Sequence, residues 1–511
     1  MDMENEDARN AGDHIKNMHW SEIIASRIRA ERKPPYVVMS GITPSGPVHP
    51  GTLCEFMFAY AIAKMLGQYG DVRFVFVSDD LDAVDSVPEP LKEYASVIQE
   101  DMGLPLALAR DPKGCHTSFA DHFISETKEI MGIFGVEVEF LRASELYARG
   151  LYDEYAKTLC ERKDEVKEIV RQSSLREAMP DDWFPIMPLC TNCRNIDKNV
   201  VEWYAGGKYG YRCSKCGYKG ENAISDHKYK LLFRLDWPTR QKFMNVAVEG
   251  GSVDHHTRGG TISTLVEVHR KIYNEEPPYM YKFGLLKYKG KKYSKSKGIG
   301  HTVSDLLRLA PVELIKYMLL KPDVQEDKEL VIDKDTLFPL LDDYKRASEA
   351  AAQESGGMHR ADHKKAIAFR LCNAKYVWKA EPSDMILYYN VYGDWEKVAQ
   401  VTGDPQGVAM LSKYIEEWIR RDLIPDRYMF KVSLKGGNPP LVRAYAEKMR
   451  ADMGAEDLHN LVFEVAGENG VDSREVFKQL YLAIIGKEMG PRLGKLIYAI
   501  GAGRVRQALL S

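Results

Sequence analysis

The sequence predicts an alternating α/β fold in its first part and an all-helical one in its last. Three observations carry this. Short apolar runs at 36–39, 71–77 and 135–141 alternate with helical stretches, the pattern of a parallel sheet. A turn-rich segment, 187–229, interrupts that pattern and holds four of the eight cysteines. From about residue 321 the strand signals fade, and helical periodicity runs through 337–351, 364–378, 410–421 and 442–453.

Composition bounds the function. The 511 residues are enough for about three or four domains. With 44% hydrophobic and 28% charged residues, a sizeable core is expected. No stretch is long and apolar enough to span a bilayer. Residues 1–17 are polar and acidic, lack a signal-peptide core and read as a flexible tail on a cytoplasmic protein. A net charge of −3 argues against indiscriminate nucleic-acid binding, so an RNA partner would need local basic patches. Cysteines in such a chain favour metal ligation over disulfides. Cys54, Cys160 and Cys372 lie in apolar, helical surroundings and read as buried structural thiols.

In chain order, 20–32 reads as a first helix leading into the strand at 36–39. The loop Gly41-Ile42-Thr43-Pro44-Ser45-Gly46-Pro47-Val48-His49-Pro50-Gly51-Thr52 follows, and then an apolar helix at 53–66. A strand, a Gly/Pro/Ser loop and a helix start present backbone N–H groups to a phosphate, with His49 adding a side-chain donor. An ordinary βα loop has the same composition. The strand at 71–77 ends in Ser78-Asp79-Asp80-Leu81-Asp82. Asp80 or Asp82 could serve a cationic substrate, and a helix cap is the equal alternative. The charged stretch 145–171 reads as a solvated helical face. The α/β pattern resumes at 245–248, continues through a helix at 263–273 and a strand at 280–286, and places a second polar loop, Glu249-x4-Asp254-His255-x-Thr257-Arg258-Gly259-Gly260, at the same rim. Asp472-Ser473-Arg474-Glu475 reads as a capping box opening a late helix, which Gly490-Pro491 breaks off.

Two clusters have metal-ligand spacing. Cys190-x2-Cys193 and Cys213-x2-Cys216 pair as two knuckles of a four-thiolate structural zinc site, with no position open for catalysis. Asp111-x3-Cys115-His116-x5-His122 offers one carboxylate, one thiol and two imidazoles. It could close on one ion, or Asp111 could cap a helix beside surface histidines. The lysine-dense loop around Lys292-Tyr293-Ser294-Lys295-Ser296-Lys297-Gly298 reads either as a solvated surface loop or as ammonium groups able to close over a triphosphate.

The His49-Pro50-Gly51-Thr52 and Lys292–Ser296 motifs resemble the two signatures of class I aminoacyl-tRNA synthetases. The longer match, with Leu235-Asp236-Trp237-Pro238 and the Asp254 loop, resembles class I lysyl-tRNA synthetase of the archaeal type from Trp20 to Leu510. The resemblance implies a Rossmann-type parallel-sheet catalytic domain with a zinc-ribbon insertion, followed by an all-α C-terminal anticodon-binding domain. In chain order this is a tail at 1–17, catalytic halves at 18–186 and 230–320, the ribbon at 187–229, and a stem-contact and anticodon-binding region at 321–511. It implies ATP-dependent activation of L-lysine and transfer to tRNA(Lys), with Mg²⁺ and one or two structural zinc ions, in a chain for which a monomer is favoured.

By the same resemblance, His49, Lys292 and Lys295 are catalytic. Pro44, Gly46, His49, Gly51, Thr52, Asp254, Ser294 and Lys295 hold ATP. Gly41, Thr43, Asp80, Trp237, His255 and Tyr281 hold lysine, and Asp111, Cys115, His116 and His122 bind a second zinc. The chain departs from the family pattern at Pro50, Ser252, Val253, His256, Lys282 and Tyr293. Those departures keep two rivals in view: a class I synthetase for another amino acid, and a non-catalytic tRNA- or amino-acid-binding relative.

Overall fold

A computed structural model describes residues 17–293, 300–353 and 360–511. The tail expected over 1–17, apart from Asn17, and the Ser294-Lys295-Ser296 part of the lysine-rich motif lie outside the described residues. The chain divides into two compact units. One gathers the residues through Leu306, Ile315–Leu330 and the segment ending at Cys372; the other is Leu307–Leu314, Val331–Ala352 and Asn373–Ser511.

The first unit is built on a five-stranded sheet. Strands β1 (Tyr36–Ile42), β2 (Val72–Ser78) and β3 (Glu139–Arg142) run outward in one direction. After the interruption of β4 (Ile186–Pro188), β5 (Val200–Ala205), β6 (Lys208–Arg212), β7 (Lys219–Ala223) and β8 (Tyr229–Leu231), β9 (Val246–Ser252) and β10 (Tyr279–Phe283) extend the sheet the other way. The order is β10-β9-β1-β2-β3, and every pairing is parallel. Strand order therefore reverses between β1 and β9, and in such sheets ligands bind beyond the carboxyl ends of the strands at that reversal. The start of β1 is buried because helices cover both faces of a parallel sheet, so Tyr36, Val37, Val38 and Met39 are apolar without alternation.

The third strand is shorter than its apolar run. Val136 is buried in the turn after the Phe119–Ile133 helix, and pairing begins only at Glu139. Gly41 has no space for a side chain: a Cβ there would stand 2.5 Å from the carbonyl oxygen of Val77 on β2. Gly41→Ala is expected to force the two strands apart at the rim, at a cost of about 1–3 kcal/mol. A lowered midpoint of urea unfolding, followed by tryptophan fluorescence, is the check.

The interruption is a separate small structure. β4 and β8 pair antiparallel as a stem, and β5-β6-β7 form an antiparallel ribbon beyond it. Further on, β11 (Leu286–Tyr288), β12 (Lys291–Lys292) and β13 (Lys328–Glu329) make a small sheet that carries Lys292.

The second unit is helical. Leu337–Ala352, Pro382–Tyr392, Trp395–Thr402, Pro405–Arg420, Pro440–Lys448, Ala455–Asn469, Ser473–Ile485, Leu493–Ile500 and Ala502–Leu510 pack around a core that includes Trp378 and Trp418. Left-handed glycines, at Gly393, Gly403, Gly470 and Gly486, stop four of these helices. Asp472 caps the helix at 473 by accepting the Arg474 N–H, a simple cap in place of the expected box with Glu475, and Gly486 ends that helix before Gly490-Pro491 is reached. Among the described residues no helix is long and apolar enough to cross a membrane.

Candidate active site

Two cavities open at the rim where β1 meets β9, and Glu55 lines both. The first, of about 340 Å³, is walled by Gly41, Thr43, Gly250 and Gly251 from the strand ends and by Phe233, Trp237 and His255 as an aromatic side. The Trp237 and His255 rings meet edge to face at 5.4 Å, and Phe233 stacks on Trp237 at 5.8 Å. Asp79, Glu55 and Glu249 supply its acidic side, and Arg240 is the cation among its walls.

Buried charge around this cavity is unbalanced. Arg240 pairs with Asp79 and Asp236, and Lys230 pairs with Asp82 at 2.7 Å and lies 3.8 Å from Asp236. Two cations thus face three carboxylates before Glu55 and Glu249 are considered. Burial, with the Glu249 carboxylate nearby, pushes Glu55 up to about 8. Burial pushes Glu249 up to about 7 against hydrogen bonds from Gln241 and Trp237. Burial thus favours the protonated form of both carboxyls in the empty cavity, and a cation placed beside them would favour the ionised form.

The Asp79–Asp82 run divides its work. Asp79 reaches the cavity. Asp80 is fully buried and does not line it: its oxygens accept from Arg142 Nε at 2.7 Å and from the backbone N–H and hydroxyl of Ser144 at 2.7 and 2.6 Å. Asp80 therefore ties the loop after β2 to β3. Asp82 accepts from the Thr43 hydroxyl at 2.6 Å and so fixes the β1 loop.

The second cavity, of about 210 Å³, is lined by His49, Gly51, Cys54, Ser252, Asp254, Phe283, Lys292 and Tyr293, with the Gly284–Leu286 backbone. His49 caps the Pro50–Leu66 helix: its Nδ1 accepts the N–H of Gly51 at 3.0 Å, which places the ring proton on Nε2. Pro50 is the first helical residue, a position that suits its missing N–H. Lys292 reaches Asp254 at 2.8 Å across the cavity mouth. Both side chains are more than half exposed, so a ligand can part them at small cost. Tyr293 sets its ring edge-on to His49 at 6.0 Å and donates its hydroxyl to the carbonyl of Leu330.

Of the residues assigned to the amino acid, Gly41, Thr43, Trp237 and His255 line the first cavity. Tyr281 is buried against Gly250, where a Cβ would fall 2.4 Å from its ring, and it lines neither cavity. Of those assigned to the nucleotide, His49, Gly51 and Asp254 line the second, together with Lys292, which was assigned to catalysis. Pro44 is buried, Gly46 stands against Pro88, and Thr52 donates its N–H to the His49 carbonyl, all outside both linings. Ser294 and Lys295 lie outside the described residues. Lys282, a departure from the family pattern, lines neither cavity.

Sequence reasoning missed Glu55, Arg240 and Phe233 as lining residues, named Glu249 only as the start of the polar loop at the rim, and chose Asp80 or Asp82 where Asp79 lines the cavity. Its signal was there for the two acids. Glu55 is the one charged residue in the run from Pro50 to Ala63, and Glu249 is the one charged residue of β9.

Both metal clusters assemble. The four thiols of Cys190, Cys193, Cys213 and Cys216 lie within 4.8 Å of one another. The two knuckles repeat the same bonds: Cys190 N–H to Asn195 O and Cys213 N–H to Tyr218 O, with Arg194 and Gly217 at positive φ just after each second cysteine. Four thiols gathered this closely fit the four-thiolate set of a structural zinc. Asp111, Cys115, His116 and His122 also bring their ligand atoms within 4.8 Å. Asp111 is no helix cap, since Ser118 caps the helix that carries His122. Against burial, backbone N–H groups of Lys113, His116 and Cys115 hold Asp111 down to about 2, so it is a ready anionic ligand.

A parallel sheet with two cavities at its switch point is the arrangement of a ligand-binding α/β core. The profile of the family described as "tRNA synthetases class I (K)" matches residues 18–374, and the chain belongs to that family. Relatives named lysine–tRNA ligase match nearly end to end. The one from Archaeoglobus fulgidus is 29% identical over 96% of this chain and 99% of its own. Those from Methanocaldococcus jannaschii and Pyrococcus horikoshii are each 30% identical, over 95% and 94% of this chain and 98% and 97% of theirs.

Proposed function

We propose that this chain is an ATP-dependent lysine–tRNA ligase, working in the cytoplasm on L-lysine and tRNA(Lys). The observation that carries the reading is the acidic, aromatic-walled cavity, joined through Glu55 to a second cavity holding His49, Asp254 and Lys292. The ε-ammonium of lysine balances the surplus carboxylate, and the aromatic wall covers its aliphatic stem. A neutral analogue would leave those carboxyls unpaired, which is the strongest basis for rejection.

Lysine's carboxylate attacks the α-phosphorus of ATP and displaces pyrophosphate. The terminal hydroxyl of tRNA then takes the lysyl group from the adenylate. The residues chiefly position the reactants and neutralise developing charge. His49 Nε2–H and the Lys292 ammonium do so from the second cavity, and Asp254 serves the ribose hydroxyls once Lys292 turns to phosphate. Lys295, of the same lysine-rich motif, shares that role, and Mg²⁺ accompanies the triphosphate. The four cysteines hold a structural zinc, the Asp111 cluster a second, and the helical second unit reads the anticodon region.

The test is amino-acid-dependent ATP–pyrophosphate exchange with a panel of amino acids, tRNA present. Exchange with lysine alone is the expected result, and exchange with none would favour a binding protein. Removing the Lys292 ammonium, as Lys292→Ala, is expected to lower the exchange rate roughly 10²-fold, the scale of one lost donor to transition-state charge.

A further inference from the structure

A buried polar chain runs from the amino-acid cavity to the surface. Glu249, on the cavity wall, accepts a hydrogen bond from the Gln241 amide nitrogen, which also faces the Met280 sulfur at 3.4 Å. The Gln241 carbonyl oxygen meets His269 Nε2 at 3.1 Å, and His269 Nδ1 meets Glu275 at 3.0 Å. Glu275 is paired with Lys242 at the outer end. Gln241 and His269 are each only 1% exposed, so neither can exchange these partners for water.

The amide of Gln241 has two orientations, and they treat Glu249 oppositely. With its N–H toward Glu249, it stabilises a carboxylate. Turned over, it sets a carbonyl oxygen against the carboxylate and would require Glu249 to carry a proton. Both ring nitrogens of His269 face acceptor oxygens, so in this arrangement the ring is the imidazolium: Nδ1–H goes to the Glu275 carboxylate and Nε2–H to the Gln241 oxygen, which decides between the two orientations. Burial pulls the imidazole pKa down, and the Glu275 carboxylate opposes that by favouring the charged ring. Around Glu249 the other facing groups are the Trp237 indole N–H, Arg240, Asp79 and Glu55. Around His269 they are Lys242 and Arg32 besides Glu275.

We propose that His269, held by Glu275, is the positioning residue that fixes Gln241 so that Glu249 meets the incoming amino acid as an ionised acceptor. The proposal rests on the reading that this cavity takes a cationic amino acid. Neither His269 nor Glu275 lines the cavity, and the hydrogen bonds connect them to Glu249 through Gln241.

Calorimetric titration of L-lysine into the full-length protein tests it without turnover. His269→Leu is expected to raise the Kd for lysine about tenfold, the scale of one hydrogen bond to a charged group. Glu275→Gln, a change at a side chain one-third exposed, is expected to raise it about threefold in a protein that folds normally. His269→Gln restores an amide donor and recovers most of the affinity. AMP affinity stays unchanged throughout. Unaltered lysine affinity in the first two variants overturns the proposal, and so does an equal loss for lysine and AMP. A wild-type protein that binds lysine but shows no lysine-dependent exchange refutes the ligase activity, while the Kd ratios still decide this relay. A wild type that binds no lysine overturns both.

Discussion

Glu55→Gln is expected to raise the KM for lysine by roughly 30-fold or more, because truncating one partner of a desolvated charge pair costs about 2–5 kcal/mol. The side chain keeps its size, so the loss reports charge alone. Glu55 also borders the nucleotide cavity, which gives the test its edge. If the KM for ATP rises and that for lysine does not, Glu55 belongs to the nucleotide. The same carboxyl predicts a pH dependence. In the empty site burial holds Glu55 at about 8 and Glu249 at about 7, so near neutral pH both are partly protonated. An ammonium in the cavity favours their ionised forms, so binding releases protons. Lysine affinity should therefore climb from pH 6 and level off above about 8, below the lysine amine's own titration near about 10.4.

Stability follows the opposite course in the empty protein. A carboxyl whose folded pKa is raised contributes stability that is full below its unfolded value and is lost as pH rises through the folded value. The unliganded protein should thus weaken between the ordinary glutamate range and about 8, where the Glu55 value lies. The rise in Tm on adding lysine should grow over the same window. A lysine-induced Tm shift that shrinks with pH across it would contradict the charge assignment.

Cys213→Ser is expected to disorder the ribbon and to lower activity by at least two orders of magnitude. Structural zinc in isolated peptides binds with about 10–16 kcal/mol of free energy, enough to decide whether so small a unit folds. The damage should spread because of what the stem carries. β8 ends at Leu231, one residue after the buried Lys230 that pairs with Asp82, and the Phe233–Met244 helix with Trp237 and Arg240 follows at once. The ribbon is also pinned to the 100–103 segment by Lys215, which donates to the carbonyls of Glu100 and Met102, and by the Ile196 N–H, which donates to the Gly103 carbonyl. Elemental analysis separates the two clusters: the wild type should carry two zinc ions, and Cys213→Ser and His122→Ala one each. A Cys213→Ser protein with full metal content and full activity would end the structural role assigned to this site.

The sequence by itself determined the order of strands and helices, the cysteine knuckles and the His49 loop, because each depends on neighbours within a few residues. Apolar runs make strands, Cys-x2-Cys makes a knuckle, and a Gly/Pro loop before a helix makes a cap. It also marked the Asp79–Asp82 run as important without showing that Asp80 would be spent on Arg142 and Ser144, residues more than sixty positions away. Only the tertiary structure decided which carboxylates face the ligand. Glu55 on a helix, Glu249 on a strand and Asp79 in a loop converge because β1 lies between β2 and β9, and that adjacency comes from sheet order. The surplus of negative charge in the cavity is a sum over those long-range neighbours, so no local pattern could have displayed it.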